Sequence, residues 1–287
     1  MHQPGPAAVA PRHLTLGHSP DSDDAFMFYG LADGHVATNG FTYEHLLQDI
    51  QTLNEWAKEG KLDTTAISVH AYAYVADKYA ILNHGASMGG RDYGPLVVAR
   101  SATPLEALRG ATIAVPGLMT SAYLALRLCI GEFTPRVLPF DTIMEAVAAG
   151  DAEYGLLIHE GQLTHGELGL QGIVNLGAWW WDETGLPLPL GVNTIRRSLP
   201  PEVQRLASCH LRASIEYGLS HREDALAWAL RYARGMKTAT ADTFVGVYVN
   251  ERTVDLGEAG RRSIRLFLRR AEDCKLIPAT GEVDFVL

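Results

Sequence analysis

Histidine 159 is the side chain in this sequence best placed by type and position to move a proton near neutral pH, since imidazole is the commonest catalytic proton acceptor there. It follows the run Tyr154, Gly155, Leu156, Leu157, Ile158, whose apolar residues do not alternate. That pattern is expected of a parallel strand covered on both faces, and open α/β sheets place their ligand crevices at the carboxyl ends of such strands. From the residues alone a general base and a hydrogen-bonded strand-end histidine fit equally well. The adjacent Glu160 either orients the ring or is simply solvated. His165 comes six positions later, which is not the i, i+4 pair that sets two zinc ligands on one helix face, so no metal is expected.

A second chemistry-bearing segment is PGLMTSAYL, residues 116–124, which follows a strand pattern and opens a helix. Gly117 permits a tight turn there, while Thr120 and Ser121 place hydroxyls beside the unpaired N–H groups of a helix start. Such a terminus suits a carboxylate, and an ordinary N-cap explains the residues as well. HSPDSDDAFMF repeats the strand-turn-helix grammar with Asp21, Asp23 and Asp24 at the helix start. Negative charge favours that end of the macrodipole, but capping accounts for one aspartate, hardly three. Trp179, Trp180 and Trp181 cannot all face one way in a regular element, so one is expected on an exposed or cleft-facing side.

The elements that must carry these residues alternate as α/β. LTLGHS, FTYEHLL, TTAISVH and YGPLVVAR read as strands, with helices over DDAFMFYGLADG, from Leu53 to Gly60, and from Ala71 to Asp77. ATIAVP then reads as a strand, 120–130 as a helix and 136–140 as a strand. Thr142 and Glu145 stand at capping-box spacing before a helix stopped by Gly150. From Pro200 to Arg270 the pattern is helical, with breaks near Ser220, Gly235 and Asp255. The expected arrangement makes residues 101–196 a smaller inserted lobe, with 13–100 and 197–287 building the larger discontinuous one and the ligand between them.

A chain of 287 residues makes two lobes the default, and 47% hydrophobic with 20% charged residues is globular composition. The net charge of −9, from 24 basic against 33 acidic side chains, argues against a nucleic-acid surface. Arg261, Arg262, Arg265, Arg269 and Arg270 are interleaved with Glu258, Glu272 and Asp273, as on a solvated helix face. Cys129, Cys209 and Cys274 suggest neither a disulfide framework nor a zinc knuckle. No apolar run nears the ~20 residues of a membrane span, and the start MHQPGPAAVAPRHL lacks a basic n-region and an apolar h-region, so a cytoplasmic location is expected. A G-x-S-x-G elbow, a Walker A loop and a strand-borne G-x-G-x-x-G are all missing.

The segments HSPDSDDAFMFYGL, TLNEWAKEGKL, VHAYA, GPLVVAR, IAVPGLMTSAYL, GLLIHEGQLT, NLGAWWWDETGLPLPLG and YVNERTVDLGEAGRR closely resemble the 1,4-dihydroxy-6-naphthoate synthase family of the futalosine pathway to menaquinone. The likeness runs from about Leu14 to Leu268. It implies a two-lobed type 2 periplasmic-binding-protein fold and a cofactor-free lyase step that converts cyclic dehypoxanthinyl futalosine to the naphthoate and dihydroxyacetone. On this resemblance the family's proton-accepting histidine falls on His159 and its substrate contacts on Asn54, Ser68, Ser121 and Ala122. Asp24 sits at the matching cleft position, and Thr120 belongs to the same helix start. Two positions depart from the family pattern. The loop Ser22, Asp23, Asp24 stands where a Pro-Asn-Asp type turn is usual, and Ala66 replaces a lysine common in the second substrate loop.

The expected partner is a small anionic aromatic substrate, with no nucleic acid and no membrane, and the chain leaves room for a homodimer. Two other readings stay open. One is a non-catalytic solute-binding protein for a small carboxylate, and the other is the chorismate dehydratase of the same pathway, against which IHEGQLT and ETGLPLPLG favour the naphthoate branch.

Overall fold

The computed structural model describes residues 12–232 and 238–287. The N-terminal segment before Arg12 and the helix break expected at Gly235 lie outside the described residues. Among the described residues twelve strands run in chain order: β1 His13–His18, β2 Thr42–Leu47, β3 Thr64–Ser68, β4 Tyr79–Leu82, β5 Ser87–Gly89, β6 Leu96–Ala99, β7 Thr112–Val115, β8 Thr134–Val137, β9 Tyr154–Leu157, β10 Gln171–Asn175, β11 Leu188–Arg196 and β12 Phe285–Val286. They form two sheets. The first has the order β12-β4-β11-β3-β1-β2 with β5 also paired to β11, and the second has the order β10-β6-β9-β7-β8.

The second sheet is thus inserted between β5 and β11, and the chain crosses from one lobe to the other through residues 90–95 and 176–187. Sheet membership differs from the lobe boundaries expected at 100/101 and 196/197. β6 hydrogen-bonds between β10 and β9 in the second sheet, whereas β11 fills the gap between β3 and β4 in the first. Backbone pairing, which a linear pattern does not reveal, decides both.

Strands without alternation are those covered on both faces: β3 (TTAIS) and β9 (YGLL) are buried at every position. β9 is not purely parallel as its pattern suggested. It runs parallel to β7, with Ile113 opposite Tyr154, and antiparallel to β6, with Leu96 opposite Leu157. The helix expected from Ala71 to Asp77 is also corrected, because Val69–Tyr72 forms a single turn and the chain then bends into β4. The segment closes through three-residue turns instead, with Tyr74 N donating to Ala71 O and Val75 N to Tyr72 O, each at 3.0 Å.

Helix Ile143–Ala149 ends at Gly150 as expected, but no capping box starts it. Thr142 Oγ1 donates instead to Pro139 O at 2.9 Å. Breaks fall after Ser220 and at Asp255, as the pattern indicated.

The long helix Gly257–Asp273 buries Ile264, Phe267, Leu268 and Ala271 on one face. Full burial is worth about 1.5–3 kcal/mol for each of the three larger side chains, so this face fixes the helix to the core. Its other face carries the arginines, with Arg265 and Arg270 lying over the Phe285 and Trp180 rings at 4.9 and 5.2 Å. Trp180 is wholly buried, meets Phe267 edge-on at 5.4 Å and donates Nε1–H to Ser263 Oγ at 3.0 Å, while Trp179 and Trp181 on the same helix, Leu176–Thr184, stay part-exposed. No helix among the described residues is long and apolar enough to cross a membrane.

Candidate active site

Between the two sheets lies a cleft of about 770 Å³, part of it open to solvent. Its floor is the face shared by β3 and β11, where Ala66 lies opposite Asn193 and Ser68 opposite Gly191. The two-residue period of paired strands brings all four to one side, and all four line the cleft.

One end of the cleft is the start of helix Ser121–Ile130. Thr120 is its N-cap, and its Oγ1 accepts from Tyr123 N at 3.2 Å while donating to Gly117 O at 2.9 Å. The N–H groups of Ser121 and Ala122 belong to the first turn, which has no partner within a helix. Ser121 and Ala122 line the cleft together with Thr120 and Ser68. This end can bind a carboxylate through backbone N–H groups and the helix dipole.

The Ser121 hydroxyl is engaged in holding the loop. It donates to Leu190 O at 2.5 Å and accepts from His70 N at 3.2 Å. His70 Nδ1 adds a contact of 3.2 Å to Thr120 O, and burial depresses that imidazole's pKa to about 4. Asn54, expected as a substrate contact, lies behind the wall rather than on it and is fully buried. Its amide donates to Ser68 Oγ at 3.1 Å and Met119 O at 3.4 Å, and its oxygen accepts from Ser68 N at 2.8 Å. Because Ser68 Oγ accepts from Asn54, its own O–H remains to donate toward the cleft it lines.

The opposite end is acidic. Asp21 is at the N-cap of helix Ser22–Ala32 but its side chain makes no capping hydrogen bond; the Asp23 carboxylate instead accepts from the first-turn N–H groups of Asp23 and Asp24. The Asp21 carboxylate takes Ser19 Oγ at 2.6 Å, and Asp24 reaches back to accept from Ser19 N at 2.7 Å. Asp21, Asp23 and Asp24 all line the cleft. Burial, then the charge of Asp21, pushes the Asp23 carboxyl up to about 7, and burial followed by the charge of Asp23 raises Asp24 well above the usual range. Crowded carboxyls in a low-dielectric wall hold protons.

His159 is one residue beyond Ile158, which lines the cleft, and is itself buried. Its Nδ1 lies 3.1 Å from Glu160 Oε2 and its Nε2 3.3 Å from Phe140 O. Burial opposes charge on this ring, but Glu160 and Asp21 outweigh it, and the pKa is raised. His165, the other histidine of the segment, points to Gln162 O at 3.0 Å.

Residues 14–273 match the model of a family described as menaquinone biosynthesis. The chain belongs to the menaquinone-biosynthesis family. Within that family it is 42% identical over 259 residues to the 1,4-dihydroxy-6-naphtoate synthase of Thermus thermophilus, covering 90% of this chain and 94% of that protein. The enzyme of the same name from Streptomyces coelicolor is 39% identical over 275 residues, covering 93% and 96%. A solved structure from Archaeoglobus fulgidus superimposes with a TM-score of 0.89 at 42% identity over 92% of this chain and 98% of its own. The alkanesulfonate-binding protein of Xanthomonas axonopodis pv. citri bound to MOPS superimposes with a TM-score of 0.70 at 14% identity, covering 96% and 98%. At that identity the likeness concerns the fold alone, and this member of the menaquinone-biosynthesis family has the two-lobed type 2 periplasmic-binding-protein-like fold.

The structure therefore brings Asp24, Ala66, Ser68, Thr120, Ser121 and Ala122 to one cleft, keeps Asn54 behind it and buries His159 one residue beyond the cleft-lining Ile158. Sequence reasoning missed Asn193 and Tyr248, both on the lining. Asn193 had a visible signal, a polar residue inside the apolar strand LGVNTIR. It donates to Gly85 O at 2.8 Å, and Gly85 has φ 78° with no room for a Cβ, which would fall 2.5 Å from the Asn193 amide nitrogen. Tyr248 ends helix Thr238–Tyr248 and bonds Gln162 across the cleft at 2.7 Å, a contact that no local pattern announces.

Proposed function

We propose that this protein is a 1,4-dihydroxy-6-naphthoate synthase, a carbon–carbon lyase that converts cyclic dehypoxanthinyl futalosine to the naphthoate and dihydroxyacetone. The observation that carries the reading is one cleft with a helix N-terminus at Thr120–Ala122 for a carboxylate and, one residue beyond its lining residue Ile158, a histidine with raised proton affinity. In this reading the N–H groups of Ser121 and Ala122 hold the substrate carboxylate, and Ser68 donates a further hydrogen bond. Protonation of the crowded aspartates lessens their repulsion of an anionic substrate.

His159 removes a hydroxyl proton once its Nε2 leaves the Phe140 carbonyl, and carbon–carbon cleavage follows with lobe closure excluding water. Proton removal at a side chain needs no cofactor, and the reading includes a cytoplasmic enzyme with a small anionic aromatic substrate.

The test is to incubate the purified protein with cyclic dehypoxanthinyl futalosine and follow naphthoate formation by absorbance and mass. Product is expected from the wild type, and His159→Ala should bind substrate while turnover falls by about 10²–10⁴. Full activity in that variant would remove His159 from the mechanism. Tight binding with no product from the wild type would favour a solute-binding protein instead.

A further inference from the structure

Thr120 and Ser121 are joined by a trans peptide, across which the Thr120 carbonyl and the Ser121 N–H are rigidly opposed. Whatever holds that carbonyl therefore aims that N–H, one of the first-turn donors at the carboxylate end of the cleft. Within its own helix the carbonyl accepts from Leu124 N at 3.2 Å. His70 supplies a second hold. Its Nδ1 lies 3.2 Å from Thr120 O, and its backbone N–H donates to Ser121 Oγ, also at 3.2 Å. His70 belongs to the turn Val69–Tyr72 directly after β3, so the strand that carries Ser68 on the cleft floor also brings His70 to the helix start.

Only one arrangement of the ring proton fits these contacts. A peptide carbonyl accepts and never donates, so the contact to Thr120 O requires the proton on Nδ1. Nε2 is buried with no hydrogen-bond partner among the described residues, and a proton there would be an orphaned donor. The residue is 3% exposed, and the neighbouring rings are those of Tyr74 and Tyr123, with centroids 5.8 and 6.2 Å away. Burial lowers the imidazole pKa to about 4, which keeps the ring neutral at ordinary pH.

We propose that His70 is a positioning residue of the carboxylate site: by giving Nδ1–H to Thr120 O it sets the Thr120–Ser121 peptide so that the Ser121 N–H is presented to an anion in the cleft. The inference rests on the reading of this helix start as the carboxylate site and adds the residue that orients it. The Ser121 hydroxyl gives its proton to Leu190 O, so the backbone N–H is the donor that Ser121 has left for a ligand.

The test uses benzoate, a small aromatic carboxylate that reads the site without the reaction. In ¹⁵N-labelled wild-type protein at about pH 7, His70, assigned by through-bond correlation, should show a protonated Nδ1 and a bare Nε2. The Ser121 amide should shift as benzoate is added. His70→Phe keeps an apolar ring and loses the donor, and its benzoate Kd should rise about fivefold, as for one neutral hydrogen bond. His70→Asn loses the ring and keeps an N–H close to the position of Nδ1, and should recover most of the affinity. Were packing the role of His70, the order of the two variants would reverse. That reversal, an Nε2–H tautomer, or a Ser121 amide unmoved by benzoate would overturn the proposal. The tautomer and the amide shift are read in the wild type, so they decide it even where a variant does not fold. Absence of naphthoate formation with these results intact would remove the lyase and leave the carboxylate site with His70 behind it.

Discussion

Asp23 and Asp24 are held in the cleft wall at a cost to stability that depends on pH. The Asp23 carboxyl keeps its proton up to about pH 7 in the folded protein, whereas an unfolded chain releases it near 4. Between those values the folded state binds the extra proton, so stability falls as pH rises through the window. Asp23→Asn removes the titrating group. The thermal midpoint of the variant relative to wild type should therefore improve between pH 5 and pH 8 by about 2–4 °C for each kcal/mol relieved. A difference that stays constant with pH would mean that Asp23 does not titrate in this window. His159 has the opposite arrangement, a cation favoured by Glu160 and Asp21, so as a base it should give kcat/KM an acid limb above the ordinary histidine range.

At the scale of elements, the loop 117–121 is where one lobe is fastened to the other. It follows β7 of the second sheet, yet its partners come from the first: Gln51 Oε1 accepts from Met119 N at 3.2 Å, Asn54 donates to Met119 O, and Leu190 O and His70 N hold Ser121. A Cβ at Gly117 would lie 2.2 Å from Gln51 Oε1, the end of a flexible side chain. Gly117→Ala should push that flexible side chain aside with little loss of stability and release the Met119 contact. One lost hydrogen bond is worth about 1 kcal/mol, so KM should rise roughly fivefold with kcat retained. Steady-state kinetics beside a thermal melt would check it, and an unchanged KM would show that the loop needs no such anchor.

Across the whole molecule, the two lobes share one buried apolar core, and a hydrogen bond from Tyr248 adds a contact across the cleft. Tyr248, on a helix packed against Ser22–Ala32 and β5, reaches Gln162 on the turn after His159 at 2.7 Å. Tyr248→Phe keeps the ring that meets Tyr93 edge-on at 5.6 Å and deletes this bond. The unliganded variant should open, with a larger radius in small-angle scattering and KM raised about fivefold, while its melting temperature changes little. An unchanged radius and KM would mean that the lobes are held by other contacts.

What the sequence determined by itself is the local grammar. Strand-turn-helix units at Ser19–Asp24 and Gly117–Ala122 were legible because turn residues, helix starts and apolar runs act within a few residues of chain. So was the buried character of β9 and the arginine face of Gly257–Asp273. Tertiary structure decided the rest. Nothing local distinguishes Asn54 on the cleft wall from Asn54 behind Ser68, places β6 and β11 in opposite sheets, or brings Tyr248 to Gln162. Such outcomes depend on hydrogen-bond partners far away along the chain, and those partners are chosen when the two sheets form and their faces meet.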